Sequence, residues 1–411
     1  MNELAADLKA RGLIEHVSAD IEKILGTKRT VYLGVDPSSD SMQAGNLLVV
    51  LLMKRLADAG HSIQLLVGGG TGMIGDPREK GERPLADIHT VAKNKRAIRG
   101  QFQQILGRRI KVFDNADWLL KVKLVDFLRD IGKHFTVNEL IKRDVIKRRL
   151  DAEDDSISYT EFAYSLLQGY DYLVLNQKYG TDLQIGASDQ WTNILSGVEL
   201  IRRKLSKEAF ALTTPLVTDS TGKKFGKSEG NAIWLDPKKT SPYAFYQFWL
   251  NQPDSVVEKY LKFYTFLSLR EITMLMELHS REPGRREGQK ALAREITGTV
   301  HGEDSAKRCA AVSEVLFGDR SLSNLSREEY SVLLSEAPTL SVAPGTSVVD
   351  ALTESGLASS KSDARRLIEG KGVTVNGDQV GSAEAIIASA DFNNGFAVLR
   401  RGKNALILQE K

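Results

Sequence analysis

The chain of 411 residues carries one cysteine, Cys309, so no disulfide can form within it, and its six histidines are not spaced with that thiol as metal ligands. No structural metal site is expected. No stretch reaches about eighteen uninterrupted apolar residues, and the opening MNELAADLKARGL holds acids in place of an apolar or Arg/Ser-rich targeting pattern. A cytoplasmic location is the expectation. Internal repeats and low-complexity runs are also missing, which excludes a solenoid or a disordered tail. Nor does one sign of charge dominate: 56 Lys+Arg against 53 Asp+Glu leave +3, too little by itself to argue for nucleic-acid binding. What is present is a 42% hydrophobic composition and enough length for two or three globular domains.

The first two hundred or so residues alternate short β-branched runs with helix-length segments, the pattern of a parallel sheet covered by helices on both faces. Strands are predicted over 30–35, 62–67, 110–113 and 183–186, with an amphipathic helix over 45–59 and another helix over 191–203. Ligands are then expected at the carboxyl ends of the strands. Residues 241–316 read as helical and aromatic-rich, and 319–345, rich in Ser with Pro338, Pro344 and Gly345, as a linker before a small separate module.

Two segments suggest nucleotide chemistry. YLGVDPSSDSMQAGNLL, 32–48, runs from a strand through a polar turn into a helix starting near Ala44, Gly45 and Asn46. A helix N-terminus offers unpaired N–H donors to phosphate, and a glycine there admits a base or ribose, although a capped helix after a strand looks the same. KKFGKSEG, 223–230, is a glycine-containing loop with lysines on both sides of Phe-Gly, and a solvated basic loop is its plain alternative. Together they resemble the HIGH and KMSKS motifs of class I aminoacyl-tRNA synthetases. The resemblance implies that Lys224 and Lys227 stabilise charge on departing pyrophosphate, with Ser228 beside ATP. It places Gln43, Gly45 and Asn46 at the nucleotide, with Gly34, Asp36 and Ser38 in the exit of the first strand. One departure stands out: Gln43 and Asn46 occupy positions where the family often has histidine, and their amides can still donate.

In YTEFAYSLLQGYDYLVL, Tyr164, Gln168 and Asp171 fall at i, i+4 and i+7 and share a helical face among apolar residues. Buried polar groups there need partners, either within the protein or on a ligand. The arrangement resembles the tyrosine pocket of bacterial tyrosyl-tRNA synthetases, and the match covers most of the chain. By that resemblance Asp171 and Tyr32 take the substrate phenol, while Tyr164, Gln168 and Asp76 take its ammonium. Asp76 lies in VGGGTGMIGDPREK, whose glycines are read as bringing backbone close to ligand, with a plain Asp-Pro turn as the alternative. ASDQWTN resembles the family's GSDQWGN, so Asp189 would accept the ribose hydroxyls and Gln190 would meet the tyrosyl carboxylate or adenylate carbonyl; the alternative for Asp189 is a helix cap. By resemblance Lys80 and Arg83 match a basic loop of the family that assists pyrophosphate or tRNA, with a solvated charge pair as the alternative.

The tail from Ser347 reads as helix, loop, helix, glycine-rich turn and strand, and resembles an S4-type RNA-binding module. It holds eight basic and eight acidic side chains from Thr346 on, so clustering carries the reading: Lys361, Arg365, Arg366 and Lys371 for phosphate contact, with Arg400, Arg401 and Lys403 as a second cluster. The resemblance implies a Rossmann-type α/β catalytic domain over 1–225, the rest of the KMSKS-type loop and an α-helical anticodon-binding domain over 226–320, a linker over 321–345 and an S4-like α+β domain over 346–411. It implies tyrosine activation with ATP and Mg²⁺, no permanently bound cofactor or metal, transfer to tRNA, and a homodimer, with 128–142, including Phe135 and Val137, as the candidate contact surface. A tryptophanyl-tRNA synthetase and a catalytically silent RNA-binding paralogue are the alternatives. Lys227→Ala is expected to slow adenylate formation far more than it weakens tyrosine binding; equal losses in single-turnover rate and equilibrium affinity would count against that role.

Overall fold

The computed structural model describes residues 2–77, 81, 87–107, 110–152, 154–218, 232–318 and 320–411. Lys80, Arg83, Lys224, Lys227 and Ser228 lie outside the described residues. The chain forms two compact units, one of residues 1–239 and 253–277, the other of 240–252 and 278–411. This division departs from the domain limits expected above. The segment 253–277 joins the first unit because Val257, Tyr260, Leu261 and Tyr264 are buried, and because Arg11 donates to Leu267 O (2.7 Å) while Arg55 donates to Thr265 O.

The first unit holds a six-stranded sheet of β1 (His16–Val17), β2 (Thr30–Val35), β3 (Ser62–Val67), β4 (Lys111–Asp114), β5 (Leu183–Ala187) and β6 (Phe210–Thr214) in the order β1-β6-β5-β2-β3-β4. β6, β5, β2, β3 and β4 run parallel, and β1 closes one edge antiparallel to β6. Strand order therefore reverses between β2 and β5, and the crevice at their carboxyl ends is where ligands bind in such sheets. Asp36 leaves β2 there, and Asp189 leaves β5.

The helix Ala44–Asp58, expected to be amphipathic, is instead buried on nearly all faces, from Leu47 through Met53 without a break. Its apolar residues leave no polar stripe, so it runs through the core of its unit. Helices Tyr164–Tyr179 and Trp191–Leu205 pack closely because Gly197 has no side chain; a Cβ there would lie 2.7 Å from the Tyr172 ring. That ring cannot retreat, since its hydroxyl donates to Phe210 O (2.9 Å) and its edge meets Tyr32 at 5.1 Å between centroids. Phe135, expected at a contact surface, packs into this same cluster, close to Gly169.

In the second unit, helices Pro242–Leu250, Glu287–His301, Glu303–Phe317 and Arg327–Glu336 accompany a sheet of β7 (Thr339–Val342), β8 (Val373–Val375), β9 (Asp378–Gln379), β10 (Phe396–Arg401) and β11 (Asn404–Glu410). The order is β7-β11-β10-β8-β9, with β7 parallel to β11 and the other pairs antiparallel. The linker reading of 321–345 is corrected here: it holds the helix Arg327–Glu336 and β7. The signal was present in the sequence as a capping box, in which Ser326 Oγ accepts from Glu329 N (3.2 Å) and Glu329 Oε2 accepts from Ser326 N (2.7 Å). Around β8, β10 and β11, helices Val348–Glu354 and Lys361–Glu369 bury Leu352, Ala364 and Ile368 against Val373, Leu399 and Leu408.

Gly197→Ala is expected to destabilise the chain by about 1–3 kcal/mol, although alanine favours a helix, because the added methyl overlaps a fixed aromatic ring. An unchanged urea midpoint would show that the two helices can separate freely.

Candidate active site

Asp171, on the inward face of helix Tyr164–Tyr179, is 2% exposed and organises the site. Its Oδ1 accepts from Trp118 Nε1 (2.7 Å) and its Oδ2 from Asn115 Nδ2 (2.9 Å). Burial pushes the Asp171 carboxyl up to about 8, against the pull of the Asn115 and Trp118 donors toward the ionised form. Each oxygen keeps lone-pair capacity for a further donor. Nearby, the Tyr32 hydroxyl is fully buried and has no hydrogen-bond partner among the described residues. An orphan hydroxyl of this kind is costly unless a ligand satisfies it.

From Asp171 a chain of hydrogen bonds crosses the crevice. Asn115 Nδ2 also donates to Thr71 Oγ1 (2.8 Å), Thr71 Oγ1 donates to Asp36 Oδ1 (2.6 Å), and the Tyr164 hydroxyl donates to Asp36 Oδ2 (2.7 Å). Asp36, placed with the nucleotide on sequence grounds, is thus tied to Tyr164. Because Tyr164 gives its proton to Asp36, its oxygen is left to accept. Asn115, Trp118 and Thr71 were missed in the sequence, since they are ordinary residues in the segments that follow β3 and β4, which only the sheet brings to Asp171.

The glycines after β3 make room for neighbouring side chains, Asp36 and Asp114 among them. A Cβ on Gly68 would lie 2.0 Å from Asp36 Oδ1, and one on Gly69 would lie 2.2 Å from Asp114 Oδ1. Gly69 N donates to Asp114 Oδ1 (3.1 Å) and Gly70 N to Asn115 Oδ1 (2.7 Å), fixing the Asn115 amide with its NH₂ toward Asp171 and Thr71.

Further along the crevice Asp76 accepts from Gln190 Nε2 (2.8 Å) at Oδ2 and from Asn193 Nδ2 (3.0 Å) at Oδ1. Gln168, one turn before Asp171, is half-buried, and its side chain forms no hydrogen bond among the described residues. Asp189 lies exposed in the 3₁₀ turn Ser188–Gln190 between β5 and the helix Trp191–Leu205, where the N-cap position belongs to Gln190. At the other signature, Gln43 precedes the helix Ala44–Asp58, and Gln43 N donates to Asn46 Oδ1 (3.1 Å), so the Asn46 carbonyl caps the helix and its NH₂ stays available. The segment after residue 231 returns to this point, with Ala44 N donating to Ile233 O and Leu235 N to Met42 O, both 2.9 Å. Gly34 and Ser38 are exposed beside it.

In the second unit Lys361 pairs with Asp350 (2.7 Å) and Arg366 with Asp363 (2.7 Å), both at exposed positions, and Lys371 follows in the left-handed conformation at φ 59°. The second cluster is corrected. Arg400 donates to Gly318 O (2.9 Å) and Val315 O (3.4 Å), and Arg401 donates to Leu357 O, so both are engaged in packing the unit.

A sheet with its crevice at the strand reversal, lined by a buried carboxyl, an orphan phenol and amide-held acids, offers donors and acceptors to a small polar molecule. The family model described as "tRNA synthetases class I (W and Y)" matches residues 26–318, and the chain belongs to that family. A second model, "Tyrosine--tRNA ligase SYY-like C-terminal domain", matches 329–408. The chain is 44% identical over 417 aligned positions to the tyrosine–tRNA ligase of Roseiflexus castenholzii, covering 98% of each, and 46% identical over 380 to that of Neisseria meningitidis, covering 90% of this chain and 88% of that one. A C-terminally truncated mitochondrial tyrosyl-tRNA synthetase of Aspergillus nidulans superposes with a TM-score of 0.69 at 31% identity, over 77% of this chain and 95% of that one. Within the class, this is the tyrosyl branch: the chain is a tyrosine–tRNA ligase, which sets aside the tryptophanyl and silent-paralogue alternatives.

The Asp171 carboxyl titrates above its ordinary value near 4, so it contributes stability that is complete below about pH 4 and is lost as pH rises through about 8. Asp171→Asn is expected to flatten the fall in urea midpoint between about pH 4 and 8. Parallel curves for the two proteins would remove Asp171 as the source.

Proposed function

We propose that tyrosine lies in the crevice with its phenol between Tyr32 and Asp171 and its ammonium among Tyr164, Gln168 and Asp76. The single observation that carries this reading is the buried pair of an unpartnered Tyr32 hydroxyl and a carboxyl with lone pairs to spare. The substrate hydroxyl donates to Asp171 and accepts from Tyr32, which satisfies both. At the other end the ammonium donates to Asp76, to the Tyr164 oxygen and to the Gln168 carbonyl.

ATP lies along β2 and β5, with Asp189 accepting its ribose hydroxyls, Gln190 at the tyrosyl carboxylate or adenylate carbonyl, and Gly34, Asp36, Ser38, Gln43, Gly45 and Asn46 around the nucleotide. Mg²⁺ enters with the phosphates of ATP. The tyrosine carboxylate attacks the α-phosphorus, the α–β phosphoanhydride bond breaks, and pyrophosphate leaves with Lys224, Lys227 and Ser228 stabilising its charge. No protein nucleophile is required. In the second step a hydroxyl of the terminal tRNA ribose attacks the tyrosyl carbonyl and AMP departs.

In this reading Lys361, Arg365, Arg366 and Lys371 meet tRNA phosphate, and the helices between residues 241 and 316 carry anticodon contacts. The protein works as a cytoplasmic homodimer. Support for the dimer is the run of exposed apolar side chains Leu120, Leu124, Val125, Leu128, Val137 and Ile141, of which Leu124 and Val125 are each 72% exposed.

Tyrosine-dependent ATP–pyrophosphate exchange tests the assignment. Asp171→Ala is expected to erase most of the preference for tyrosine over phenylalanine in kcat/KM, while an unchanged ratio would take Asp171 out of the phenol site.

A further inference from the structure

Arg143 stands at the N-cap of the helix Asp144–Asp151, outside the sequence motifs used above but facing Asn193, the last residue of ASDQWTN. Its guanidinium is half-buried, yet it forms no ion pair among the described residues. Nη2 donates to Ser196 Oγ (2.6 Å), and that hydroxyl in turn donates to Thr192 O (3.1 Å), which fixes the serine's lone pair toward Arg143. Nη1 makes a longer contact to Asn193 Oδ1 (3.4 Å). Burial lowers the Arg143 pKa to about 10, with the negative charge of Asp76 the first influence opposing it. Arginine keeps its charge at such a site.

Asn193 links Arg143 to Asp76. Its Nδ2 donates to Asp76 Oδ1 (3.0 Å) and to Gln190 Oε1 (3.3 Å), while its Oδ1 faces Arg143. An amide can flip, but a carboxylate only accepts and a guanidinium only donates. With Asp76 on one side and Arg143 on the other, a flipped Asn193 would set oxygen against carboxylate and NH₂ against guanidinium. One orientation survives. Gln190 is fixed in turn, its Oε1 toward Asn193 and its Nε2 toward Asp76 Oδ2 (2.8 Å), so each Asp76 oxygen holds one amide donor.

We propose that Arg143 is a positioning residue for the amino-acid end of the site: by facing Asn193 Oδ1 it turns that amide toward Asp76 and Gln190, and so aims the carboxylate that receives the substrate ammonium. The inference rests on the reading of Asp76 as the ammonium ligand.

The test compares equilibrium binding of tyrosine and 3-(4-hydroxyphenyl)propionate, which lacks only the ammonium, to the full-length protein. Asp76→Asn is expected to abolish the preference for tyrosine. Arg143→Met and Asn193→Ala are each expected to reduce it by about tenfold, Arg143→Lys to restore part of it, and the double variant to be no worse than Asn193→Ala alone. In exchange assays Arg143→Met should raise KM for tyrosine by a similar factor and leave KM for ATP within about twofold. If Asp76→Asn loses the preference but Asn193→Ala and Arg143→Met keep it, the positioning role is overturned and the Asp76 reading stands. If Asp76→Asn keeps the preference, both fall. Should Arg143→Met not fold, Asn193→Ala and Arg143→Lys decide the matter by the same comparison.

Discussion

A carboxyl group taken out of water at Asp171 is the constraint on which the site depends. Left alone in the core it would hold its proton still more tightly or draw in solvent. Asn115 and Trp118 each donate to one of its oxygens, and Asn115 is itself held by the Gly70 backbone. The same chain of bonds runs on through Thr71 and Asp36 to Tyr164, so the proposed phenol and ammonium ends of the site share one network. The glycines following β3 are what allow side chains to pack this tightly against backbone.

A network of this kind favours selection more than affinity. A ligand hydroxyl between Tyr32 and Asp171 meets groups already desolvated and oriented, whereas a ligand without it leaves both buried and unmatched. The aromatic packing behind the site serves the same end. Tyr32 meets Tyr172, Tyr172 is anchored on Phe210, and Gly197 leaves space for its ring. Rigid support of this sort holds donors and acceptors in place without further ordering when a ligand arrives.

The second unit uses its charges differently. Arg400 and Arg401 are turned inward onto backbone carbonyls, while Lys361, Arg366 and Lys371 remain at exposed positions. Sequence clustering could not separate the two groups. An arginine that ties a strand to a helix end and an arginine that meets solvent look alike until the sheet is folded.

Local rules accounted for much that was legible beforehand. β2, β3 and β5 and the helix carrying Tyr164 and Asp171 follow from β-branched runs and helical spacing, and the capping box at Ser326 and Glu329 was there to be read. The two-residue β1 is too short for periodicity to register, and β6 is buried along its whole length and so shows no alternation. The amino-acid sequence by itself determined the signatures, the helical face of Tyr164, Gln168 and Asp171, and the family. Only the tertiary structure decided that Asn115, Trp118 and Thr71 serve Asp171, that the glycines house side chains, and that Arg143 faces Asn193. Those contacts join residues tens of positions apart, and a hydrogen bond's partner is set by where the sheet places it, which no local pattern encodes.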